Sequence, residues 1–253
     1  ICTHLWQAED VGSEHDPKSP EGHSFTQLTK FATVLPYFAR WNPHIHVFNS
    51  AGTLNLICLK NKHKTQLSSV WLWDQNVGFR PGLAIYGLAP RTFMTNHMTS
   101  HLSLKPVMTL KSHVVCCHEV KKGDLVSYGG TWRAKKDSIV AVVPIGYADG
   151  YKRILSNRSE VLIRGQRAPV VGNVCMDYFM VDVTEIKGNK SAQAGTQADS
   201  PSVSFNEEVV LFGEQLGHEL SAHQVADWAQ TIGWEILTSV GVRVPRKFIK
   251  AGI

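Results

Sequence analysis

The sequence predicts an α/β plus β protein: the last units of a (β/α)8 TIM-like barrel, followed by a mostly antiparallel C-terminal β domain. Stretches typical of strands and helices alternate through residues 1–100, as in βα units of a parallel sheet or barrel, whereas short β-branched runs dominate from Leu104 onward. A complete barrel takes roughly 250 residues, or about 30 per unit, so that only about three units fit before residue 105. We therefore predict a partial barrel over residues 1–104 and a β domain over residues 105–253.

Composition and charge exclude several classes of protein. The 253 residues are 43% hydrophobic and 19% charged, which is typical of a soluble globular protein. The net charge of +5 is spread along the chain, which disfavours nucleic acid as the main partner. No apolar run approaches the roughly 20 residues needed to span a bilayer, and no signal peptide opens the chain. We expect a cytoplasmic protein without a membrane partner. Because the first residue is Ile1, we expect a processed product or a piece of a longer chain.

The cysteines predict neither disulfides nor a metal site. There are five of them, an odd number, and no two form a C-x-x-C pair, so that their spacing suits neither a disulfide framework nor zinc. A reducing cytosol is the natural environment for such a chain.

In the barrel part, residues 1–5 are typical of the end of a buried strand. A helix is expected to begin at Ser24, with Gln27 completing a capping box, and to end at Pro36. Residues 45–48 are strand-like, and a turn follows at residues 49–52. Residues 77–87 then predict a strand, a glycine turn and a short helix. Stretches 9–23 and 58–72 are expected to be long loops.

In the β domain, six strands are predicted, at residues 107–115, 125–128, 139–145, 161–163, 178–183 and 209–212. Residues 187–202 are rich in Ser, Ala, Gln and Gly, which indicates a surface insertion. One late helix is expected to begin at Ser221, with Gln224 in capping-box position. It would bury an apolar face that reaches Ile232, and Gly233 would end it. The face consists of Val225, Trp228, Ala229 and Ile232.

Three short blocks carry the strongest functional signal. They are V-S-Y-G-G-T-W at residues 126–132, V-P-I-G-Y-A-D-G-Y at residues 143–151 and V-G-N-V-C-M-D at residues 171–177. Each is an apolar run that ends in a glycine turn bearing a tyrosine or an acid, and glycine lets backbone approach a ligand closely. Each block alone is also typical of a hairpin edge. Together they make Tyr128, Tyr147 and Asp177 candidate site residues.

In this order the blocks resemble the C-terminal β domain of the alanine racemases, the pyridoxal-phosphate enzymes that interconvert L- and D-alanine. The resemblance runs from about Thr3 to Arg246 and is strongest between Arg80 and Asp177. It implies pyridoxal 5'-phosphate as cofactor and alanine as substrate, with D-alanine supplied to cell-wall peptidoglycan. It also implies a homodimer whose active site is shared between subunits.

The resemblance implies roles for residues of the first half. Thr3-His4 resembles a Thr-His pair whose histidine hydrogen-bonds the catalytic tyrosine. His46-Val47-Phe48-Asn49-Ser50 resembles the His-x-x-Asn-Ser turn that holds the cofactor phosphate, as a turn before a helix does well. Asn49 and Ser50 would contact the cofactor, and His46 would support them.

Arg80-Pro81-Gly82-Leu83 resembles the family's Arg-x-Gly-Ile element. The resemblance implies that Arg80 points at the pyridine nitrogen and that Gly82 and Leu83 offer N–H groups to the phosphate. An arginine is always charged, so it leaves that nitrogen unprotonated and weakens the ring as an electron sink. A proton is then more readily returned to Cα, which suits racemisation, whereas related decarboxylases place an acid there.

In the second half, Tyr128 matches the base or acid on the L-alanine side of a two-base mechanism. An unperturbed tyrosine has a pKa of about 10, so that it needs a nearby cation to act as a base. We expect His4, backed by Arg80, to provide that field. Tyr147 matches a tyrosine at the mouth of the site. Met176 matches the residue whose backbone N–H holds the substrate carboxylate, with Asp177 beside it.

The match has one chemical gap. No lysine occupies a position equivalent to the one that binds the cofactor covalently, and Lys60, Lys62 and Lys64 lie in a polar stretch. Since that lysine is also the second base, we expect the isolated chain to be inactive and to be the C-terminal part of a longer enzyme. Val242 stands where some members have a phosphate-binding tyrosine. A broad-specificity amino-acid racemase and a non-catalytic split or degenerate remnant remain the alternatives.

Overall fold

The computed structural model describes residues 1–8, 23–59, 77–91, 104–188 and 203–249. The chain divides into two compact units, Ile1–Val107 and Met108–Ile253. The expected loops at 9–23 and 58–72 and the expected insertion at 187–202 lie mostly outside the described residues. Within the described ranges, no helix has the length and apolar character needed to cross a membrane.

The first unit contains neighbouring parallel strands. Strand β1 (Ile45–Phe48) pairs in parallel with β2 (Val77–Phe79), and Cys2 forms a parallel bridge with His46 on β1. Parallel neighbours require crossover connections, which are usually helical. This arrangement is that of βα units, and the predicted fold class is confirmed for this part.

Three helices accompany these strands in the described part of the unit: α1 (His23–Val34), α2 (Ser50–Leu59) and α3 (Gly82–Ile85). The residues predicted as a turn after β1 are in fact the beginning of α2. A buried apolar cluster joins α1 to β1 and to the start of α2. It includes Leu5, Leu28, Leu35, Val47, Phe48 and Ala51.

The predicted capping box of α1 is wrong. The Ser24 hydroxyl donates to the carbonyl of Gln7 at 3.0 Å. The Gln27 amide donates to the Thr3 hydroxyl and to the His4 carbonyl, both at 2.8 Å. Both side chains therefore tie the helix to the first residues of the chain.

The second unit contains ten strands among the described residues: β3 (Leu110–His113), β4 (Cys116–Val120), β5 (Leu125–Val126), β6 (Trp132–Arg133), β7 (Ser138–Val143), β8 (Glu160–Ile163), β9 (Gln166–Val171), β10 (Phe179–Asp182), β11 (Glu208–Gln215) and β12 (His218–Leu220). Strands β5 and β6 form a separate antiparallel pair. The other eight strands form one antiparallel sheet in the order β12-β11-β8-β9-β10-β7-β4, with β3 also paired to β11. The predicted antiparallel β domain is confirmed.

Four of these strands are absent from the prediction: β4, β6, β9 and β12. Strand β4 has a single β-branched residue, Val120, and lies at one end of the sheet order, and β9 carries Arg167 and Pro169. Such sequences have weak strand propensity, and pairing with neighbours decides their structure.

The late helix is two helices, α4 (Ala222–Trp228) and α5 (Gly233–Ser239). Gly233 begins the second helix instead of ending the first, and Ile232 is exposed rather than buried. A Cβ on Gly233 would lie 2.9 Å from Nδ1 of His223. The glycine therefore allows the two helices to approach each other closely.

Candidate active site

In the first unit, Arg80 follows β2 and spans the ends of neighbouring segments. Its Nη2 donates to the carbonyls of Thr3 (2.7 Å) and Val47 (3.3 Å), and its backbone N–H donates to Phe48 O at 2.6 Å. Its Nε is buried and has no hydrogen-bond partner among the described residues. Since a buried N–H without an acceptor is costly, a ligand that accepts a hydrogen bond from this atom would stabilise the site.

The starts of α2 and α3 meet beside Arg80. Ser50 is buried, and its hydroxyl accepts the backbone N–H of Ala84 at 3.2 Å. Asn49 donates to Leu5 O at 3.1 Å and accepts the N–H of Gly52 at 2.9 Å. Helix starts present N–H groups to anions, and Asn49 fixes the first turn of α2.

Gly82 leaves open space at the start of α3. A Cβ at this position would have no atom within 4 Å, so that a ligand can approach the backbone there. The Gly82 N–H donates to Arg80 O at 2.8 Å, a bond that a bound phosphate would have to replace. Leu83, the next residue, is buried.

The two candidate histidines of the first unit, His4 and His46, differ in their contacts. The ring of His46 lies against Gly78, where a Cβ would be only 2.4 Å from Nδ1. His4 is exposed, and its carbonyl is held by Gln27. Both histidines are exposed, but the ring of His46 also contacts β2.

In the second unit, Tyr128 begins a short 3-10 turn between β5 and β6, and it is 77% exposed. Its backbone is nevertheless fixed, because Asn173 Nδ2 donates to the Tyr128 carbonyl at 2.7 Å. The hydroxyl of Ser127 donates to Asn173 O at 2.9 Å. A Cβ on Gly172 would lie 2.5 Å from Cβ of Ser127, so that only glycine permits this approach.

The Tyr147 turn (Tyr147–Asp149) is seated on the segment that carries Met176. The N–H groups of Tyr147 and Ala148 donate to the carbonyls of Cys175 and Met176, both at 3.0 Å. A Cβ on Gly146 would lie 2.3 Å from Met176 O. The structure therefore brings all three predicted blocks together around residues 172–177.

This seating fixes the direction of two further N–H groups. The peptide bonds here are trans, and in a trans peptide the C=O and N–H point in opposite directions. Because the carbonyls of Cys175 and Met176 face the Tyr147 turn, the N–H groups of Met176 and Asp177 point away from it. Adjacent N–H groups on one side of the backbone suit an anion such as a carboxylate.

Sequence reasoning missed an ionic group beside this segment. Arg243 Nε donates to Asp149 Oδ1 at 3.0 Å, and its Nη2 donates to Asp177 Oδ1 at 2.7 Å. The hydrogen bonds that Arg243 donates to Asp177, and then to Asp149, raise the pKa of the guanidinium above its ordinary value. Asp149 is almost fully buried, and its Oδ2 accepts the Gly146 N–H at 2.9 Å. The sequence feature that could have revealed this group is Asp149, a second acid in a glycine turn.

The candidate residues thus form two groups, one in each unit. The first unit holds His4, His46, Asn49, Ser50, Arg80, Gly82 and Leu83, and the second holds Tyr128, Tyr147, Met176 and Asp177.

Residues 107–248 match the family model "Alanine racemase, C-terminal domain". This match covers the second unit, with the Tyr128, Tyr147 and Met176 blocks.

Individual relatives and solved structures indicate the same family. An alanine racemase from Thermodesulfovibrio yellowstonii is 42% identical over 98% of this chain and 55% of its own length. The crystal structure of alanine racemase from Bacillus anthracis with bound L-Ala-P has a TM-score of 0.73 and 31% identity, over 100% of this chain and 55% of that one. Alanine racemase from Bartonella henselae with covalently bound pyridoxal phosphate has a TM-score of 0.69 and 27% identity, over 98% and 56%. The chain spans about half the length of the relatives it matches. By its second unit and by these similarities, the chain belongs to the alanine racemase family.

Proposed function

We propose that this chain takes part in the pyridoxal-phosphate-dependent interconversion of L- and D-alanine. The observation that carries the proposal is the buried Nε of Arg80, which has no partner among the described residues. An unprotonated pyridine nitrogen is an acceptor and would satisfy this donor. The guanidinium is held by the neutral carbonyls of Thr3 and Val47, so that its charge would not be neutralised when the cofactor is bound.

The residues of the first unit fit the cofactor. The Ser50 hydroxyl, the helix starts fixed by Asn49, and the N–H groups of Gly82 and Leu83 would hold the phosphate, with the open space at Gly82 admitting it. Val242 has no hydroxyl to add to these donors. When bound, the cofactor supplies the electron withdrawal that makes the Cα proton of alanine acidic.

The residues of the second unit would handle the substrate. The exposed phenol of Tyr128, held at its backbone by Asn173, would take the proton from Cα of L-alanine or return it. His4 and Arg80 would supply the positive field that this step needs. The N–H of Met176, with Asp177 beside it, would orient the carboxylate. Tyr147 would limit the size of the side chain admitted.

Assembly and cellular role belong to the same proposal. A homodimer in which one subunit's Tyr128 and Tyr147 serve the cofactor of its partner would use both groups of residues. The second base would be a lysine bound to the cofactor. Because no lysine of this chain occupies a matching position, that lysine would come from another segment of the enzyme. We place the activity in the cytoplasm, where it would supply D-alanine for peptidoglycan.

The first test is the intact mass of the native gene product after borohydride reduction, which fixes a lysine-bound cofactor. A phosphopyridoxyl adduct on a product heavier than 28.1 kDa is expected. A mass that matches this chain, without adduct, would contradict the proposal unless a partner chain carries the adduct, and would favour a non-catalytic remnant.

The second test replaces Tyr128 with Phe. Tyr128→Phe is expected to lower the racemisation of alanine by about 100-fold or more, because a general acid–base group is lost, with cofactor absorbance unchanged. Tyr37→Phe, at another exposed tyrosine, is the matched control and should leave the rate unchanged. Near-normal turnover in the Tyr128 variant would disprove the assigned role.

Serine and lysine assayed beside alanine distinguish the broad-specificity alternative. We expect turnover of alanine far above that of both, because Tyr147 narrows the site. Comparable rates for lysine would favour the broad-specificity enzyme.

A further inference from the structure

Arg243 is the cation that joins the Tyr147 turn to the segment carrying Met176 and Asp177. Its guanidinium contacts Oδ1 of Asp149 in the turn and Oδ1 of Asp177 in the segment. We propose that Arg243 is a positioning residue, which holds the segment on the turn and so fixes the direction of the Met176 and Asp177 N–H groups. The use of those groups for a carboxylate rests on the proposed function, but the positioning itself does not.

The exposed fractions of the three side chains indicate that Asp177, rather than Asp149, depends on Arg243 for its position. The Asp149 side chain is 11% exposed, against 47% for Asp177 and 51% for Arg243. Asp149 is fixed by the turn, because its second oxygen accepts the Gly146 N–H. Asp177 lies at the surface, and the guanidinium draws it toward the fixed carboxylate.

Removing the cation would do more than delete two hydrogen bonds. The two carboxylates both lie within 3.0 Å of the same guanidinium, and like charges this close repel each other when nothing neutralises them. The repulsion would separate the turn from the segment. The bonds between them, from the N–H groups of Tyr147 and Ala148 to the carbonyls of Cys175 and Met176, would open more often.

The backbone that carries Arg243 is itself anchored on the turn. The Gly241 N–H donates to Asp149 O at 2.8 Å, and the Ser239 hydroxyl donates to Gly150 O at 3.1 Å. A Cβ on Gly150 would lie 2.1 Å from Ser239 O, which shows how closely the two chains approach. The backbone near Arg243 is therefore fixed relative to the turn, as a positioning role requires.

The bridge requires the shape of arginine. Its planar fork offers several donors in fixed directions, whereas a lysine ammonium is a compact point charge on a flexible stem. Nε and Nη2 of Arg243 serve different carboxylates. We therefore expect Arg243→Lys to keep the charge but restore only part of the positioning.

The experiment is residue-resolved hydrogen exchange on the native gene product and on its Arg243→Gln variant. The amides of Tyr147 and Ala148 are expected to exchange about tenfold faster in the variant, since charge-assisted hydrogen bonds are lost. The amides of β10, in the sheet, should keep their rates. Equal acceleration of all amides would show a purely structural role and overturn the proposal, as would unchanged rates at Tyr147 and Ala148.

Two further variants complete the test. Arg167→Gln removes another ion pair of the same unit, with Glu160 at 2.9 Å and exposures of 41% and 37%, and it should leave Tyr147 and Ala148 unaffected. Arg243→Lys should give intermediate rates, and full restoration would contradict the bridging geometry.

If the gene product racemises alanine, Arg243→Gln should raise KM more than it lowers kcat, because carboxylate binding is weakened. An unchanged KM beside accelerated exchange would leave Arg243 without a part in substrate binding and would overturn that extension. A wild-type protein without racemase activity would contradict the proposed function and leave the exchange result standing.

Discussion

At the scale of single residues, Arg80 shows how a cation can be held without being neutralised. Its guanidinium donates to the backbone carbonyls of Thr3 and Val47, and among the described residues it has no carboxylate at ion-pair distance. Neutral acceptors orient the guanidinium but do not neutralise its charge. A ligand placed at Nε therefore meets a directed, positively charged donor.

Gly82 provides a test of the cofactor site that leaves the protein's own packing unchanged. Its φ is not in the left-handed region, and an added Cβ would meet no atom within 4 Å. Gly82→Ala should therefore leave the thermal midpoint of the cofactor-free protein unchanged. It should raise the Kd for pyridoxal phosphate by about tenfold, because the methyl group obstructs a charge-assisted hydrogen bond.

The measurements are thermal melting without cofactor and an absorbance titration with it. Gly188→Ala, where the nearest atom to the new Cβ is Arg164 Nη1 at 3.6 Å, is the control and should change neither quantity. An unaltered Kd in Gly82→Ala would place the phosphate elsewhere.

At the scale of elements, the two predicted capping boxes had different outcomes. At α4 the box is confirmed: the Ser221 hydroxyl accepts the Gln224 N–H, and Gln224 Oε1 accepts the Ser221 N–H, both at 3.1 Å. At α1, Ser24 and Gln27 bond instead to the first residues of the chain. A local motif forms when nothing else competes for its donors, and tertiary partners compete successfully at α1.

Ser221→Ala should therefore destabilise the second unit by about 1 kcal/mol, the usual cost of losing an N-cap side chain. The measurement is urea denaturation followed by tryptophan fluorescence, since Trp228 and Trp234 lie on α4 and α5. Thr238→Ala, at an exposed position of α5, should stay within about 0.5 kcal/mol of wild type. Equal effects of the two substitutions would show that the cap contributes nothing.

At the scale of the whole second unit, the strands of the sheet carry many fully buried apolar side chains. Phe179 on β10 is fully buried, and its ring stacks on Tyr151 at 4.8 Å. Burial raises the pKa of Tyr151 well above its ordinary value, although its hydroxyl bonds to Ser159 at 2.8 Å. The phenol at this position is therefore structural, in contrast to the exposed Tyr128.

Phe179→Ala should lower the free energy of unfolding of this unit by about 3–5 kcal/mol, because a large buried ring is removed and leaves a cavity. Equilibrium denaturation monitors the change. Phe205→Ala, at an exposed phenylalanine, serves as the control and should stay within about 0.5 kcal/mol of wild type. A loss below about 1 kcal/mol at Phe179 would mean that the core collapses around the gap.

Much of the fold and of the site could be predicted where the signal is local. Strand β1 has the predicted bounds, because a short apolar run between turn signals is enough to specify a strand without reference to distant residues. The glycine-rich blocks at Tyr128, Tyr147 and Met176 could be found for the same reason, since their residue types report a close backbone approach. The order of these blocks was enough to indicate the family.

The sequence by itself therefore determined the fold class, the family and the candidate residues of this protein. Tertiary structure decided which distant groups meet. Gln27 bonds to His4 instead of capping α1, and strand β4 forms by pairing with β7. Tertiary structure also joined Arg243 to Asp149 and Asp177, which lie 94 and 66 residues away. Periodicity and propensity act over a few residues, whereas such contacts depend on how the whole chain packs, because distant partners compete for the same donors.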